Sequence, residues 1–131
     1  LIRRLRDLGH EIALDDFGRG LSSLTYLKTL PVSYLKIDGD LVRDVVASSR
    51  SQAMVSAIVQ LARAMGLRTT AECIESDGIR TVVAGLGVDF GQGYALGRPR
   101  PLEQVLHELV PPVRGDTLSV DTPPARVHAA R

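Results

Sequence analysis

The sequence is poor in the residues that build disulfides and membrane spans. It contains a single cysteine, Cys73, among 131 residues. One cysteine excludes an internal disulfide and a zinc site built from cysteines, and it fits a protein of the reducing cytoplasm. No apolar run approaches the ~20 residues that a bilayer-spanning helix needs. The first ten residues mix arginines with apolar residues, which is not the pattern of a secretory signal peptide.

The sequence also lacks an excess of charge of either sign. Sixteen basic residues against fifteen acidic ones give a formal net charge of +1. This balance provides no electrostatic reason to expect a nucleic-acid polymer or an anionic membrane as a partner. The length allows at most one domain, and the hydrophobic content of 44% is ordinary for a soluble globular protein.

Short apolar runs alternate with helical patterns along the first 110 residues. A helical pattern at residues 1–8 comes first, and four strand–helix units follow it. The predicted strands are EIALDDF (11–17), VSYLKID (32–38), LRTTAEC (67–73) and VDFGQGYALG with its loop (88–97); the predicted helices are 21–30, 51–66, 76–87 and 101–110. This order is typical of an α/β fold with a parallel sheet covered by helices. Residues 111–131 contain four prolines and no helical pattern, and they are predicted to be a disordered tail.

Each predicted strand ends in polar side chains that a buried strand does not require. These side chains are Asp15 and Asp16, Lys36 and Asp38, Glu72 with Glu75 just beyond it, and Gln92. The carboxyl ends of parallel strands lie at one edge of the sheet, where α/β proteins form their ligand sites. We therefore expect these groups to converge at that edge.

The residue types at this edge indicate metal-dependent chemistry. Carboxylates that converge repel one another, and a bound cation relieves the repulsion. Oxygen ligands from aspartate, glutamate and glutamine suit hard divalent cations such as Mg²⁺ or Mn²⁺. A lysine at the same edge can steady an anion or an attacking water. Because no serine–histidine or cysteine–histidine arrangement is visible, the pattern favours hydrolysis of a phosphate ester over acyl transfer.

Three segments resemble motifs of the EAL-domain family, the cyclic di-GMP phosphodiesterases. Residues 12–42 resemble the family's DDFG-to-KID region, TTAECIE (69–75) its AEGVE segment, and LGVDFGQGYALGRPRP (86–101) its QGY-to-RPxP segment. The resemblance implies that residues 1–110 form the C-terminal half of a (β/α)8, TIM-like barrel, with about four parallel strands alternating with helices. It also implies that the intact protein hydrolyses cyclic di-GMP to linear pGpG.

The resemblance assigns the catalytic roles to four of the residues at the strand ends. It implies that Asp15, Asp16 and Glu72 are ligands of a two-metal site that holds Mg²⁺ or Mn²⁺. It further implies that Lys36, Glu72 and Asp16 act in catalysis, with Lys36 holding the nucleophilic water or the phosphate.

Supporting roles and departures from the family pattern follow in the same way. The resemblance implies that Gln92 contacts the site from the last strand and that Glu75 anchors the DDFGRG loop. Asp38 is interpreted as a cap or as a residue that orients Lys36, and a direct role toward the substrate is the alternative. Arg19 stands where the family usually has threonine, and Cys73 stands where it has glycine.

The length of the chain leads to an expectation about its completeness. A (β/α)8 barrel typically needs ~250 residues, and the sequence contains no Glu-x-Leu signature of the family's N-terminal half. We therefore expect the isolated 131-residue chain to be inactive. The intact protein is expected to add the missing half of the barrel and an upstream sensor or diguanylate-cyclase-like domain, and to form a homodimer through the EAL domain.

Two other functions compete with this interpretation. One is a catalytically inactive EAL-type domain that binds cyclic di-GMP or a protein partner; retention of the acidic residues and of Lys36 argues against it. The other is a phosphoacceptor receiver domain, which requires a lysine at a strand end followed by proline. Here Ile37 follows Lys36, so that pattern is not met.

Overall fold

The structure is a computed structural model that describes residues 1–20 and 23–109. Its elements, in chain order, are α1 (Ile2–Asp7), β1 (Ala13–Phe17), α2 (Ser23–Thr29), β2 (Tyr34–Ile37), α3 (Gly39–Arg43), a 3-10 turn (Asp44–Val46), α4 (Ser49–Ala64), β3 (Arg68–Ala71), α5 (Asp77–Gly85), β4 (Phe90–Gly91) and α6 (Leu102–Leu109). The predicted tail at residues 111–131 lies outside the described residues. In the described ranges, no helix has the length and apolar character needed to cross a membrane.

The four strands form one parallel sheet in the order β1-β2-β3-β4. Each strand is joined to the next through helical segments, as parallel pairing requires. The predicted α/β class and the four strand–helix units are thereby confirmed. All four strand carboxyl ends lie at the same edge of the sheet, which is the edge where the sequence places its polar groups.

The two faces of the sheet differ in burial. On β2, Leu35 and Ile37 are fully buried, whereas the alternate residues Tyr34 and Lys36 are only partly covered. The buried face packs against the apolar side of α4, whose Val55 is fully buried. Side chains alternate between the faces of a strand, so the hydrophobic core holds one face in place while the other carries polar groups.

One short helix was not predicted from the sequence. The pattern interprets Gly39 as the end of the second strand, but in the structure Gly39 begins α3. The long helix was predicted to begin at residue 51, and it begins at Ser49 instead, with the Ser48 hydroxyl accepting a hydrogen bond from the Ser51 amide at 3.1 Å. Each of these helices begins directly after a capping side chain, Asp38 or Ser48, and capping depends on the local backbone conformation.

The loop after β4 lies directly against the loop after β3. The Ile74 amide donates a hydrogen bond to the Gln92 carbonyl at 3.0 Å, and the Ala95 amide donates one to the Ile74 carbonyl at 3.0 Å. Gly93 sits between them, and a Cβ atom on it would lie 2.3 Å from the Ile74 backbone. Glycine is therefore required here for close approach of two backbones.

We expect Gly93→Ala to lower the free energy of unfolding by about 1–3 kcal/mol or more, because neither backbone can move away cheaply. Urea denaturation of the purified protein measures this change. Gly85→Ala is the matched control, since a Cβ there meets nothing within 4 Å, and it should leave the stability unchanged or slightly raised. Equal stability of the two variants would contradict the packing argument.

Candidate active site

The first strand contains one more residue than its neighbour between two paired positions. Leu14 lies opposite Leu35 and Phe17 lies opposite Ile37, so the register shifts by one residue in between. The irregularity falls on Asp15 and Asp16. A bulge of this kind redirects side chains, and bulges are common beside active sites.

The backbone of Asp16 shows how the bulge is made. Its φ of +53° lies in the left-handed region, which aspartate and asparagine tolerate better than most residues. In a regular strand two successive side chains point to opposite faces. Here, oxygens of Asp15, Asp16 and Glu72 all lie within 4.8 Å of one another, so the bulge allows both aspartates to reach the same site.

Lys36 joins two of these three carboxylates. Its Nζ lies 2.9 Å from Oδ1 of Asp15 and 2.6 Å from Oε1 of Glu72. The Glu72 side chain is 18% exposed and the Asp15 side chain 63% exposed. The cluster thus brings together residues from β1, β2 and the end of β3, as predicted for the carboxyl edge of the sheet.

The charges in the cluster shift the pKa values of two groups. Partial burial acts to lower the pKa of the Lys36 ammonium, but the hydrogen bonds and charges of Glu72 and Asp15 outweigh it and raise that pKa. The hydrogen bond from Lys36 holds the pKa of the Asp15 carboxyl below its ordinary value, against the opposing effect of its burial. Lys36 is therefore a cation, and Asp15 an anion, at neutral pH.

The donor set fits a hard divalent cation. All three candidate ligands offer carboxylate oxygens, which Mg²⁺ and Mn²⁺ accept. One oxygen from each carboxylate lies within 4.8 Å of the others, which is close enough for the three residues to contribute to one cation site.

The structure does not test the predicted roles of Gln92 and Glu75, which stay predictions. Gln92 is exposed, and its backbone links two loops through bonds to Ala71 and Ile74 at 2.9 and 3.0 Å. Glu75 was expected to anchor the DDFGRG loop. In the structure its carboxylate lies 3.5 Å from Nε of Arg43 on α3.

Asp38 acts as the N-cap of α3. Its side chain accepts a hydrogen bond from the Asp40 amide at 3.0 Å, and the residue is 6% exposed. Its own amide donates to the Phe17 carbonyl at 3.1 Å. These contacts fix the end of β2 beside the bulged strand, whereas a direct role of Asp38 toward a substrate stays a prediction.

The sequence interpretation missed Arg43, which links α3 to the loop after β3. Its guanidinium contacts Oδ1 of Asp40 at 2.8 Å and Sγ of Cys73 at 3.2 Å, in addition to Glu75. Cys73 has a φ of +56°. The one sequence feature that could have indicated this contact is the cysteine at a position where the resembled family motif has glycine. The contact itself could not be predicted, because Arg43 lies 30 residues away along the chain.

The fold and the site together define a class: a parallel α/β protein with an acidic, lysine-bridged site at the carboxyl ends of its strands. Ligands of such folds bind at this edge. The chain belongs to the EAL domain family, which it matches over residues 1–99. The family membership inferred from the three sequence motifs is thereby confirmed.

Relatives and solved structures agree with this assignment. The cyclic di-GMP phosphodiesterase PdeB of Shewanella oneidensis is 44% identical over 102 residues, a match that covers 78% of this chain and 12% of PdeB. The Pseudomonas aeruginosa MucR phosphodiesterase, solved as a cyclic di-GMP complex, has a TM-score of 0.73 and 44% identity, and the match covers 80% of this chain and 42% of that one. Klebsiella pneumoniae BlrP1, solved as a manganese and cyclic di-GMP complex, has a TM-score of 0.65 and 33% identity. That match covers 70% of this chain and 24% of BlrP1.

The chain therefore spans less than half the length of each of these three proteins. Its four-stranded parallel sheet corresponds to part of the TIM-barrel-like EAL domain. The fold expected from the sequence, a portion of a (β/α)8 barrel, is confirmed.

The capping role of Asp38 can be separated from a chemical role. We expect Asp38→Ala to lower the free energy of unfolding by about 0.5–2 kcal/mol, because α3 loses its cap, whereas Asp38→Asn should preserve most of the stability. Chemical denaturation of both variants measures the difference. An alanine variant as stable as the wild type would show that the cap is not stabilising.

The Lys36–Asp15 ion pair predicts a pH dependence of stability. Because folding lowers the pKa of Asp15 from its ordinary 3.8, the pair stabilises the protein above that pH and the contribution is lost as the pH falls through the lower folded value. Between about pH 5 and pH 2, the free energy of unfolding of the wild type should therefore fall more steeply than that of Asp15→Asn. The extra loss should be less than about 1 kcal/mol, because the ion pair is exposed.

Thermal unfolding of both proteins at a series of pH values tests this expectation. Raising the salt concentration should reduce the difference between them, since exposed charges are screened. Parallel curves for the wild type and the variant at low salt would contradict it.

Proposed function

We propose that the intact protein hydrolyses cyclic di-GMP to linear pGpG in a reaction that depends on Mg²⁺ or Mn²⁺. This chain supplies part of the active site. The observation that carries the proposal is the convergence of Asp15, Asp16 and Glu72 to within 4.8 Å, bridged by Lys36. Two of the similar proteins, PdeB and MucR, are named as cyclic di-GMP phosphodiesterases, which supports the choice of substrate.

The residues of the chain divide the work of such a reaction. Asp15, Asp16 and Glu72 would hold the divalent ions, which when bound supply an activated water and neutralise the charge that builds on the phosphate. Lys36 carries a positive charge from the middle of β2, and it orients the water or a phosphate oxygen by donating hydrogen bonds. Gln92 contributes an uncharged contact to the substrate from the end of β4.

The remaining parts of the proposal concern the protein beyond this chain. The isolated 131 residues are inactive, because the N-terminal half of the barrel supplies further ligands. The intact protein works in the cytoplasm, forms a homodimer through its EAL domain, and carries a sensor or diguanylate-cyclase-like domain upstream. The partial coverage of longer relatives supports a longer intact protein, and the name of MucR as a bifunctional diguanylate cyclase and phosphodiesterase supports the additional domain.

Asp16→Asn in the intact protein tests the metal-dependent reaction. Asparagine tolerates the left-handed backbone as well as aspartate does, so the variant removes a charge without removing the bulge. We expect the rate of pGpG release to fall by more than about 100-fold, which exceeds the usual cost of losing an outer-shell partner of a metal ligand. Chromatographic detection of pGpG at saturating Mn²⁺ measures the rate.

Asp7→Asn is the matched control, since Asp7 lies at the end of α1 and outside the acidic cluster; it should retain the wild-type rate. Tight binding of cyclic di-GMP by the wild type without any turnover, even at high Mn²⁺ or Mg²⁺, would contradict the enzyme and establish the inactive receptor in its place.

A further inference from the structure

Lys36 occupies the centre of the acidic cluster. Its ammonium lies within 2.9 Å of Asp15 and 2.6 Å of Glu72, which are two of the three candidate metal ligands. Among the described residues it is the only cation with an ion pair to any of these three carboxylates. The positive charge that offsets their mutual repulsion therefore comes from this one side chain.

A divalent ion at this site would need two of the carboxylates that Lys36 engages. Oδ1 of Asp15 accepts a hydrogen bond from Lys36 at 2.9 Å and another from the Asp16 amide at 3.2 Å. An ammonium group held against two carboxylates also repels any other cation that approaches them. The lysine and a divalent ion therefore draw on the same carboxylate groups, and their like charges oppose joint occupancy.

The two contacts of Lys36 differ in how easily they are released. The Glu72 contact is the shorter, and Glu72 is largely covered, with 18% of its side chain exposed. The Asp15 contact is the longer, and 63% of the Asp15 side chain is exposed, so water can replace the ammonium there. Asp16 has no ion pair with the lysine in the structure, and it adjoins Asp15. The Asp15–Asp16 side is therefore the more accessible side of the cluster for a second cation.

We propose that Lys36 is an internal counter-ion that occupies the acidic cluster without metal and weakens divalent-ion binding until it is displaced from Asp15. The inference rests on the metal site of the proposed function. It adds a role for Lys36 that is separate from any contact with substrate, because it operates before substrate binds. Removal of the lysine charge should then strengthen metal binding even where it abolishes turnover.

The test is calorimetric titration of MnCl₂ into the intact protein at low salt, without cyclic di-GMP. Lys36→Met should bind Mn²⁺ at least about tenfold more tightly than the wild type, because one like charge near the ion is removed. Lys28→Met, which removes the exposed lysine of α2, should bind as the wild type does. Lys36→Arg keeps the charge and should not bind more tightly.

Equal or weaker Mn²⁺ binding by Lys36→Met would overturn the inference. Circular dichroism checks its folding, and Lys36→Gln provides a second neutral variant if the methionine variant is unstable. The increase in melting temperature on adding Mn²⁺ should also be larger for the neutral variants. Tighter Mn²⁺ binding by Lys36→Met with no hydrolysis by the wild type would refute the proposed reaction and leave the counter-ion role standing. Hydrolysis by the wild type without tighter binding by Lys36→Met would refute the counter-ion role and leave the proposed reaction standing.

Discussion

The additional residue in β1 is the constraint on which the site depends. Successive side chains of a regular strand point to opposite faces, so without the bulge one of the two aspartates would face the packed core. Burying an unpaired carboxylate there costs far more than the roughly 1–2 kcal/mol of a left-handed residue. The left-handed backbone of Asp16, with its φ of +53°, therefore costs less free energy than a buried carboxylate. It also places two charged groups beside each other on the polar face.

The position of the acidic cluster is fixed by the buried residues of β2. Lys36 lies between Leu35 and Ile37, both fully buried, so the backbone that carries the ammonium is fixed by the core. The Glu72 amide donates a hydrogen bond to the Ile37 carbonyl at 3.3 Å, which keeps the end of β3 level with β2. Hydrophobic packing on one face thus determines the spacing of charges on the other.

The convergence of the strand-end residues could be predicted because it follows from a general property of parallel sheets. Asp15, Lys36 and Glu72 each follow or interrupt an apolar run, and parallel pairing brings such positions to one edge. The bulge could not be predicted, since the two aspartates give the same local pattern in a regular strand. The pairing of Glu75 with Arg43 and the start of α3 at Gly39 depend on tertiary contacts between segments far apart along the chain.

Cys73, which stands where the resembled family motif has glycine, is accommodated by the first residue of α3. With a φ of +56°, Cys73 holds a backbone conformation that favours glycine, and its side chain needs space. Gly39 provides that space, because a Cβ there would lie 2.4 Å from the Cys73 sulfur. Arg43 then closes over the sulfur at 3.2 Å. The loop that carries Glu72 is therefore packed against the helix that follows Lys36.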